Sequence, residues 1–399
     1  MEKSTFKRRL MFVVCMLMCG LSIQAADDGL ITDQVTIDKL VAGTLPQRIS
    51  SDEKYLITNL KINGQINGTD LRLIREMAGR SIKNEETEGK LTILDLANVK
   101  IVSGGDYYTS YYEFTYYTQD DSLGVNAFAN CNLTSVTLPT NLKYIAYGTF
   151  ENCYALTSVT LPPNLRGMTG GNFNNCRSLT NLDLPSSLTF IEEYAFNNCK
   201  SLTNLNLPSS LTSIGESAFN NCRSLTNLNL PSSLTFIGVS AFSDCKGLTS
   251  LTLSPNIIVV GQEAFGHCSN LSTLTIPQGL TSIARLNQYH IFSGSGLESV
   301  YVAWQTPVPA GFFFDDFDIS KCTLYVPLGT KQAYSGTEVW REFGEIKEYD
   351  VSGVGKVDNH SEAKEVSRYS LDGQRLSAPV KGLNIVRYSD GSIKKVVVN

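Results

Sequence analysis

A 23-residue step governs the middle of this chain. Cys153, Cys176, Cys199, Cys222, Cys245 and Cys268 recur at that interval. Phe150, Phe173, Phe196, Phe219, Phe242 and Phe265 keep the same step, each three residues ahead of a cysteine. Leu161, Leu184, Leu207, Leu230, Leu253 and Ile276 form a third ladder, usually followed by proline. Three unlike residue types in one register exclude composition bias. They require a stack of like units, each able to bury its apolar face only against its neighbours.

Residues 179–201, LTNLDLPSSLTFIEEYAFNNCKS, show what one unit contains. Alternation puts Leu182 and Leu184 on one face and Asn181 and Asp183 on the other. Pro185 and two serines make a turn, because proline fixes φ and donates no ladder hydrogen bond. Leu188 to Ile191 predict a second short strand, and Ala195, Phe196 and Cys199 return inward. Stacked in register at about 4.8 Å per step, such units build a mainly β solenoid. A parallel sheet lines one side, and short strands or 3₁₀ turns line the other.

Full units start near Leu133, Leu156, Leu179, Leu202, Leu225, Leu248, Leu271 and Leu297, with a degenerate one at Leu324 and Val326. Leu91-x-x-Leu94-x-Leu96 and Ile57-x-x-Leu60-x-Ile62 carry the strand signature upstream. Irregular end units suit a stack whose end faces must be covered. The unit L-x-x-L-x-L-P…L-x-x-I-G…A-F-x-x-C resembles the leucine-rich repeats of BspA-like bacterial surface proteins, over roughly residues 123–349. Residues 64–79 and 333–346 resemble the flanking segments of that family. The resemblance implies an adhesive surface scaffold that binds host or matrix proteins, or neighbouring bacteria.

Lys3, Lys7, Arg8 and Arg9, an apolar stretch from Leu10 to Ile23 and then Gln-Ala-Ala read as a secretory signal peptide cleaved after Ala25. Met18 stands before Cys19, where lipoprotein processing needs a small side chain. Cleavage removes four basic residues and Glu2, which takes the net charge from −5 to −8. That disfavours nucleic acid and anionic membranes as partners, and no other apolar run is long enough to span a bilayer. Exported cysteines often pair. Here equivalent side chains point the same way about 4.8 Å apart, whereas a disulfide needs converging Cβ atoms about 3.8 Å apart. The ladder therefore reads as buried free thiols, with Cys322 outside it.

Residues 26–90 read as a small cap, with Asp70 capping a helix over Leu71 to Met77 that stops at Gly79. Residues 103–121, SGGDYYTSYYEFTYYTQDD, are a tyrosine-rich insertion without Lys or Arg. It suits either a hairpin packed over the first repeat or a recognition loop, since tyrosine gives large contact area at small entropic cost. GFFFDDFD, at 311–318, suits end-packing. Residues 350–365 read as a linker. Residues 366–399 resume strand patterning, with turn signals at Asp372-Gly373 and Asp390-Gly391. That tail resembles the end of the C-terminal sorting domain of the type 9 secretion pathway, which implies a cell-surface, outer-membrane location in a Gram-negative bacterium.

The three histidines, His267, His290 and His360, are scattered, and no nucleophile elbow, zinc-protease or phosphate-loop motif occurs. The acidic pairs Asp120-Asp121 and Asp315-Asp316 read as solvated loops. The expectation is a non-enzyme without cofactor or metal. Candidate ligand-binding residues are Tyr107, Tyr108, Tyr111, Tyr112, Tyr116 and Tyr117 of the insertion, together with Asn181, Asp183, Asn204, Asn206, Asn227, Asn229 and Tyr301 on the exposed row of the parallel sheet. The row is polar and nearly uncharged. Its asparagines suit either an amide ladder along the stack or a shallow hydrogen-bonding face for a protein or glycan. On the opposite side Tyr144, Phe190 and Phe236 protrude if Ile145, Ile191 and Ile237 point inward.

The chain thus divides into a signal peptide (1–25), an N-terminal cap with irregular first repeats and the insertion (26–122), a repeat array with its C-terminal cap (123–349), a linker (350–365) and a C-terminal β segment for sorting or anchoring (366–399). The expected function is that of an exported surface scaffold for protein–protein interaction. A carbohydrate-binding module and a purely structural surface protein are the alternatives.

Overall fold

The computed structural model describes residues 29–111, 114–280, 290–310, 313–314 and 317–351, and the tail stretches 365–369, 375–376, 378, 382–388 and 393–398. The signal peptide, Tyr112, Asp315-Asp316, His360 and both predicted tail turns lie outside the described residues. The chain forms two units, Met1–Tyr349 and Asp350–Asn399.

The first unit is the solenoid. Thirteen parallel strands follow one another in chain order along one side, in three hydrogen-bonded segments. These run from Val35–Leu40 to Ser158–Thr160, from Asn181–Leu182 to Asn227–Leu228, and from Ser250–Thr252 to Glu345–Tyr349. The other side is a six-stranded parallel sheet from Tyr144–Ile145 to Val259–Val260. Ile145, Ile191 and Ile237 point inward, and Tyr144 and Phe236 protrude.

Mid-array strands are two residues long, and proline turns the chain beyond them. Leu188 N–H closes that turn on the Pro185 carbonyl at 3.0 Å. This corrects the simple alternation. Leu182 is buried, whereas Leu184, Leu207 and Leu230 are only partly covered, since each falls past the end of its strand.

Two sharp bends per unit need left-handed backbone. The residue before each cysteine has φ of 56° to 62° at Asn152, Asn175, Asn198, Asn221, Asp244 and His267, although these are not glycines. Asn, Asp and His are the side chains that tolerate this region best, so His267 is accounted for by backbone geometry. The second bend, ahead of the phenylalanine, uses Gly148, Gly171, Tyr194, Ser217, Ser240 and Glu263.

Inside, the phenylalanines stack like coins. Centroids from Phe150 to Phe265 lie 5.1 to 5.4 Å apart with rings within 8° of parallel. The stack continues to Phe128 and Phe292 and stops where Phe313 meets Phe292 edge-on at 70°. Phe313, Phe314, Tyr334, Trp340 and Phe343 are buried and close that end of the core.

The N-terminal end is closed by the helix Gly68–Met77. Its N-cap is Asn67, not Asp70. Asp70 is the third helical residue, and its side chain reaches back to the Asn67 N–H in a capping box. It is buried because it also accepts from Gly43 N–H at 2.5 Å and Leu45 N–H at 2.8 Å, so one carboxylate ties the preceding loop to the helix.

The second unit is a four-stranded antiparallel sheet in the order Arg375–Leu376, Glu365–Tyr369, Gly382–Tyr388, Ile393–Val398. Val386 and Arg368 are buried in it.

Candidate functional site

Parallel register aligns like residues along the outer face of the main sheet. Asn181 pairs with Asn204 and Asn204 with Asn227. Asn181, Asp183, Asn204, Asn206, Asn227 and Asn229 are exposed and line, with Leu182, one shallow depression of about 480 Å³. The fold therefore brings these six predicted residues together.

The predicted amide ladder is absent from this face. Asn181, Asn204 and Asn227 donate Nδ2 to the hydroxyl of the preceding threonine, at 3.5, 3.4 and 3.3 Å. Thr203 and Thr226 in turn donate to the carbonyls of Thr180 and Thr203 one turn back. Each amide thus has a partner within its own turn, and the face remains a set of separate polar groups. The amide ladder forms instead at the bend before the cysteines. There Asn175 donates to Asn152 at 2.9 Å and Asn221 donates to Asn198. Left-handed backbone turns those side chains along the stack.

Tyr301 lies further along the same row. Its neighbours in register are Thr275 and Tyr325, and Tyr325 in turn pairs with Lys347. The Tyr301 and Tyr325 rings stack at 4.3 Å and 6°, and Tyr349 closes on Tyr301 edge-on at 5.5 Å. Burial, then the Tyr325 hydroxyl, pushes the Tyr301 phenol above its ordinary value. The Tyr349 hydroxyl donates to the Val302 carbonyl at 3.1 Å, and burial pushes it up to about 12. Sequence reasoning passed over Tyr325 and Tyr349 because their step of 24 residues leaves the 23-residue register. At the start of the row, Lys61 and Asp95 pair at 2.6 Å. Burial acts to raise the Asp95 carboxyl, but the Lys61 ammonium and the Ala97 N–H outweigh it and hold it below its usual range.

The tyrosine-rich insertion is a hairpin of Gly104–Tyr111 and Phe114–Thr118. It lies against the cap helix, with Tyr107 stacked on Arg72 and set edge-on to Tyr117. Tyr117 and Phe114 are exposed, Tyr107 and Tyr116 half-buried. Tyr108 is not a surface residue at all. It is fully buried, and its hydroxyl donates to the Val125 carbonyl at 2.8 Å. Gly124 permits this, since a Cβ there would lie 2.2 Å from the Tyr108 hydroxyl oxygen.

The reason lies in the ladder at the end of the stack. Within the array, each turn donates backbone N–H groups to carbonyls of the next, as Asn126 does to Tyr147 and Phe128 to Thr149. Residues 123–131 are the first turn of this bend ladder, and no equivalent bend lies behind them to donate. Tyr108 supplies one to Val125, buried Arg75 supplies its Nη1 to Asn126 and Ala127 at 2.8 and 2.9 Å, and Arg80 supplies its Nε to Asn130 at 2.8 Å.

The eight described cysteines are buried free thiols. Among the described residues no cluster of His, Cys, Asp or Glu is arranged to hold a metal, and no helix is long and apolar enough to cross a membrane.

The model of the BspA type leucine rich repeat region matches six copies, over residues 121–249 and 191–308. A leucine-rich repeat protein from Bacteroides ovatus is similar in structure, with 18% identity over 82% of this chain and 94% of its own, at a TM-score of 0.40. A leucine rich cell surface protein from Faecalibacterium prausnitzii has 18% identity over 62% and 86%, at 0.32. The T. pallidum leucine rich repeat protein has 18% over 71% and 83%, at 0.28. No curated protein matches the sequence. Its six matched copies identify residues 121–308 of the array as a BspA-type leucine-rich-repeat region.

Proposed function

We propose that the protein is an exported, surface-displayed scaffold that binds another protein and performs no catalysis. The observation that carries this reading is the depression over Asn181, Asn204 and Asn227. It is open, polar and nearly uncharged, and it is set on a rigid stack. Such a floor offers repeated donors and acceptors at fixed spacing, while it lacks the enclosed apolar pocket that small-molecule chemistry needs. The tyrosines at Tyr301 and Tyr325 and the exposed hairpin residue Tyr117 supply the aromatic anchors that protein interfaces concentrate. In this reading the tail after 365 serves sorting and anchoring, as its sequence resemblance implies.

The test uses the exported chain to capture proteins from host-matrix extracts, beside a variant with Asn181, Asn204 and Asn227 changed to Arg. A partner retained by the first and lost by the second supports the reading. Equal capture by both removes the sheet face from it. Surface display of a chain truncated after Asp350 would remove the sorting role of the tail.

A further inference from the structure

The residue after each cysteine forms its own column. From Tyr154 onward it reads Tyr154, Arg177, Lys200, Arg223, Lys246, Ser269, so four consecutive turns carry a cation in a chain whose net charge is negative. The backbone repeats at this point. The N–H groups of Arg177, Lys200 and Lys246 donate to the carbonyl two residues earlier at 2.8 to 2.9 Å, beyond the left-handed residue. Three of the four cations therefore leave the stack from the same backbone geometry, and Arg223 holds the equivalent position one turn after Lys200. The neighbouring phenylalanine stack advances 5.1 to 5.4 Å per turn, so three steps set Arg177 about 16 Å from Lys246. Arg177, Arg223 and Lys246 are exposed and Lys200 is half-buried.

Like charges at adjacent ladder positions repel. The column is only partly relieved from within. Lys246 pairs with Asp244 at 3.3 Å, Arg223 donates its Nε to Asn221 at 2.6 Å, and Arg177 lies over the Tyr154 ring at 4.9 Å. A row of cations flanked by the neutral amides of Asn175, Asn198 and Asn221, with Asp244 beside Lys246 at its end, matches a linear polymer that carries regular negative charge and hydroxyl groups. We propose that this column, on a different face from the asparagine depression, is a docking track for an anionic polysaccharide, either sulfated or built on uronic acids.

Two other polyanions fit less well. Single-stranded nucleic acid gains much of its affinity from stacking on aromatic side chains, and the column offers Tyr154 alone. An acidic helix docks through an apolar face as well as its charges, and the neighbours here are Asn174, Asn197 and Asn220. An extended acidic strand presents like-facing residues about 6.8 Å apart, out of step with the column.

The experiment titrates the full chain with a size-defined heparin oligosaccharide. Affinity should weaken roughly 50-fold between about 50 and about 200 mM salt if all four cations engage, by analogy with counterion release from single-stranded nucleic acid. The variant R177Q/K200Q/R223Q/K246Q should bind at least about tenfold more weakly, with a melting temperature equal to or above the parent as repulsion is relieved. K200Q alone should reduce the salt slope by about 0.7, which keeps the test open if the fourfold variant folds poorly. A control variant, K331Q/K347Q, should bind as the parent does. The proposal is overturned if the parent fails to bind at the lower salt, if the K200Q and fourfold variants bind as the parent does, or if poly-glutamate or an oligothymidine binds more tightly than the saccharide.

Discussion

The thiol of Cys199 donates to the carbonyl oxygen of Phe173, 3.2 Å away and one turn back in the stack. The same bond recurs from Cys153 to Phe128, Cys176 to Phe150, Cys222 to Phe196, Cys245 to Phe219 and Cys268 to Phe242, at 3.1 to 3.3 Å. Cys322 lies off the 23-residue ladder yet repeats the arrangement, donating to Leu297 at 3.0 Å. The Phe173 carbonyl also accepts the Cys176 N–H of its own turn at 3.0 Å, so the thiol fills its second lone pair. Cysteine is small and apolar enough to pack beside the phenylalanine stack while still offering a weak donor.

Cys199→Ala removes this second donor, leaves the Cys176 N–H in place and opens a small void, and should destabilise the array by about 1 kcal/mol. Cys199→Ser retains a donor and should lose less. Urea unfolding of both variants measures this. If serine costs more than alanine, polar burial outweighs the hydrogen bond and the role given to the thiol fails.

Burial also pushes the thiols up, to about 12 at Cys268 and about 11 at Cys322, from an ordinary value of 9.0. The thiols of Cys153, Cys176, Cys222 and Cys245 are likewise raised by burial first of all. The folded chain keeps protons that the unfolded chain releases. Their contribution is therefore complete below the unfolded value and declines as pH rises from about 9 toward the folded values. The urea midpoint should fall steadily from about pH 9 to about pH 11, and Cys268→Ala should make the slope shallower. A flat profile would contradict burial of the ladder.

Tyr108→Phe takes the hydroxyl from the Val125 carbonyl and leaves the first turn short of a donor. A loss of about 1–3 kcal/mol is expected, concentrated at the N-terminal end. Amide exchange should quicken in residues 123–131 and stay unchanged beyond residue 200. Uniform or absent change would deny Tyr108 its capping role.

Asn221 holds a left-handed φ of 61° and donates to Asn198. Asn221→Ala loses both tolerance of that backbone and the amide bond, and should cost about 1–3 kcal/mol. Asn221→Gly restores the backbone freedom and should recover part of the loss. Thermal melts of the two variants decide the split. Equal losses would mean that the amide bond carries the whole effect.

The repeat register by itself pointed to the solenoid, its parallel sheet and the phenylalanine and cysteine ladders, while the inward turn of Ile145, Ile191 and Ile237 came only with the second sheet. The physical reason is translation. When one unit stacks on its copy, every contact is set by residues at equal positions, and periodicity reports those positions directly. What broke the period was decided by the tertiary structure. Tyr108 read as a candidate binding residue of the insertion and Arg75 carried no signal in the sequence, yet both are buried against the first turn of the bend ladder, which has no equivalent bend behind it to supply donors. Asn67 displaced Asp70 as the helix cap because Asp70 was needed by Gly43 and Leu45, residues distant in sequence. The asparagines of the open face bond within their own turns, while Asn175 and Asn221, held left-handed before the cysteines, reach one turn back. Where each amide reaches depends on the local backbone and its neighbours, which composition does not carry.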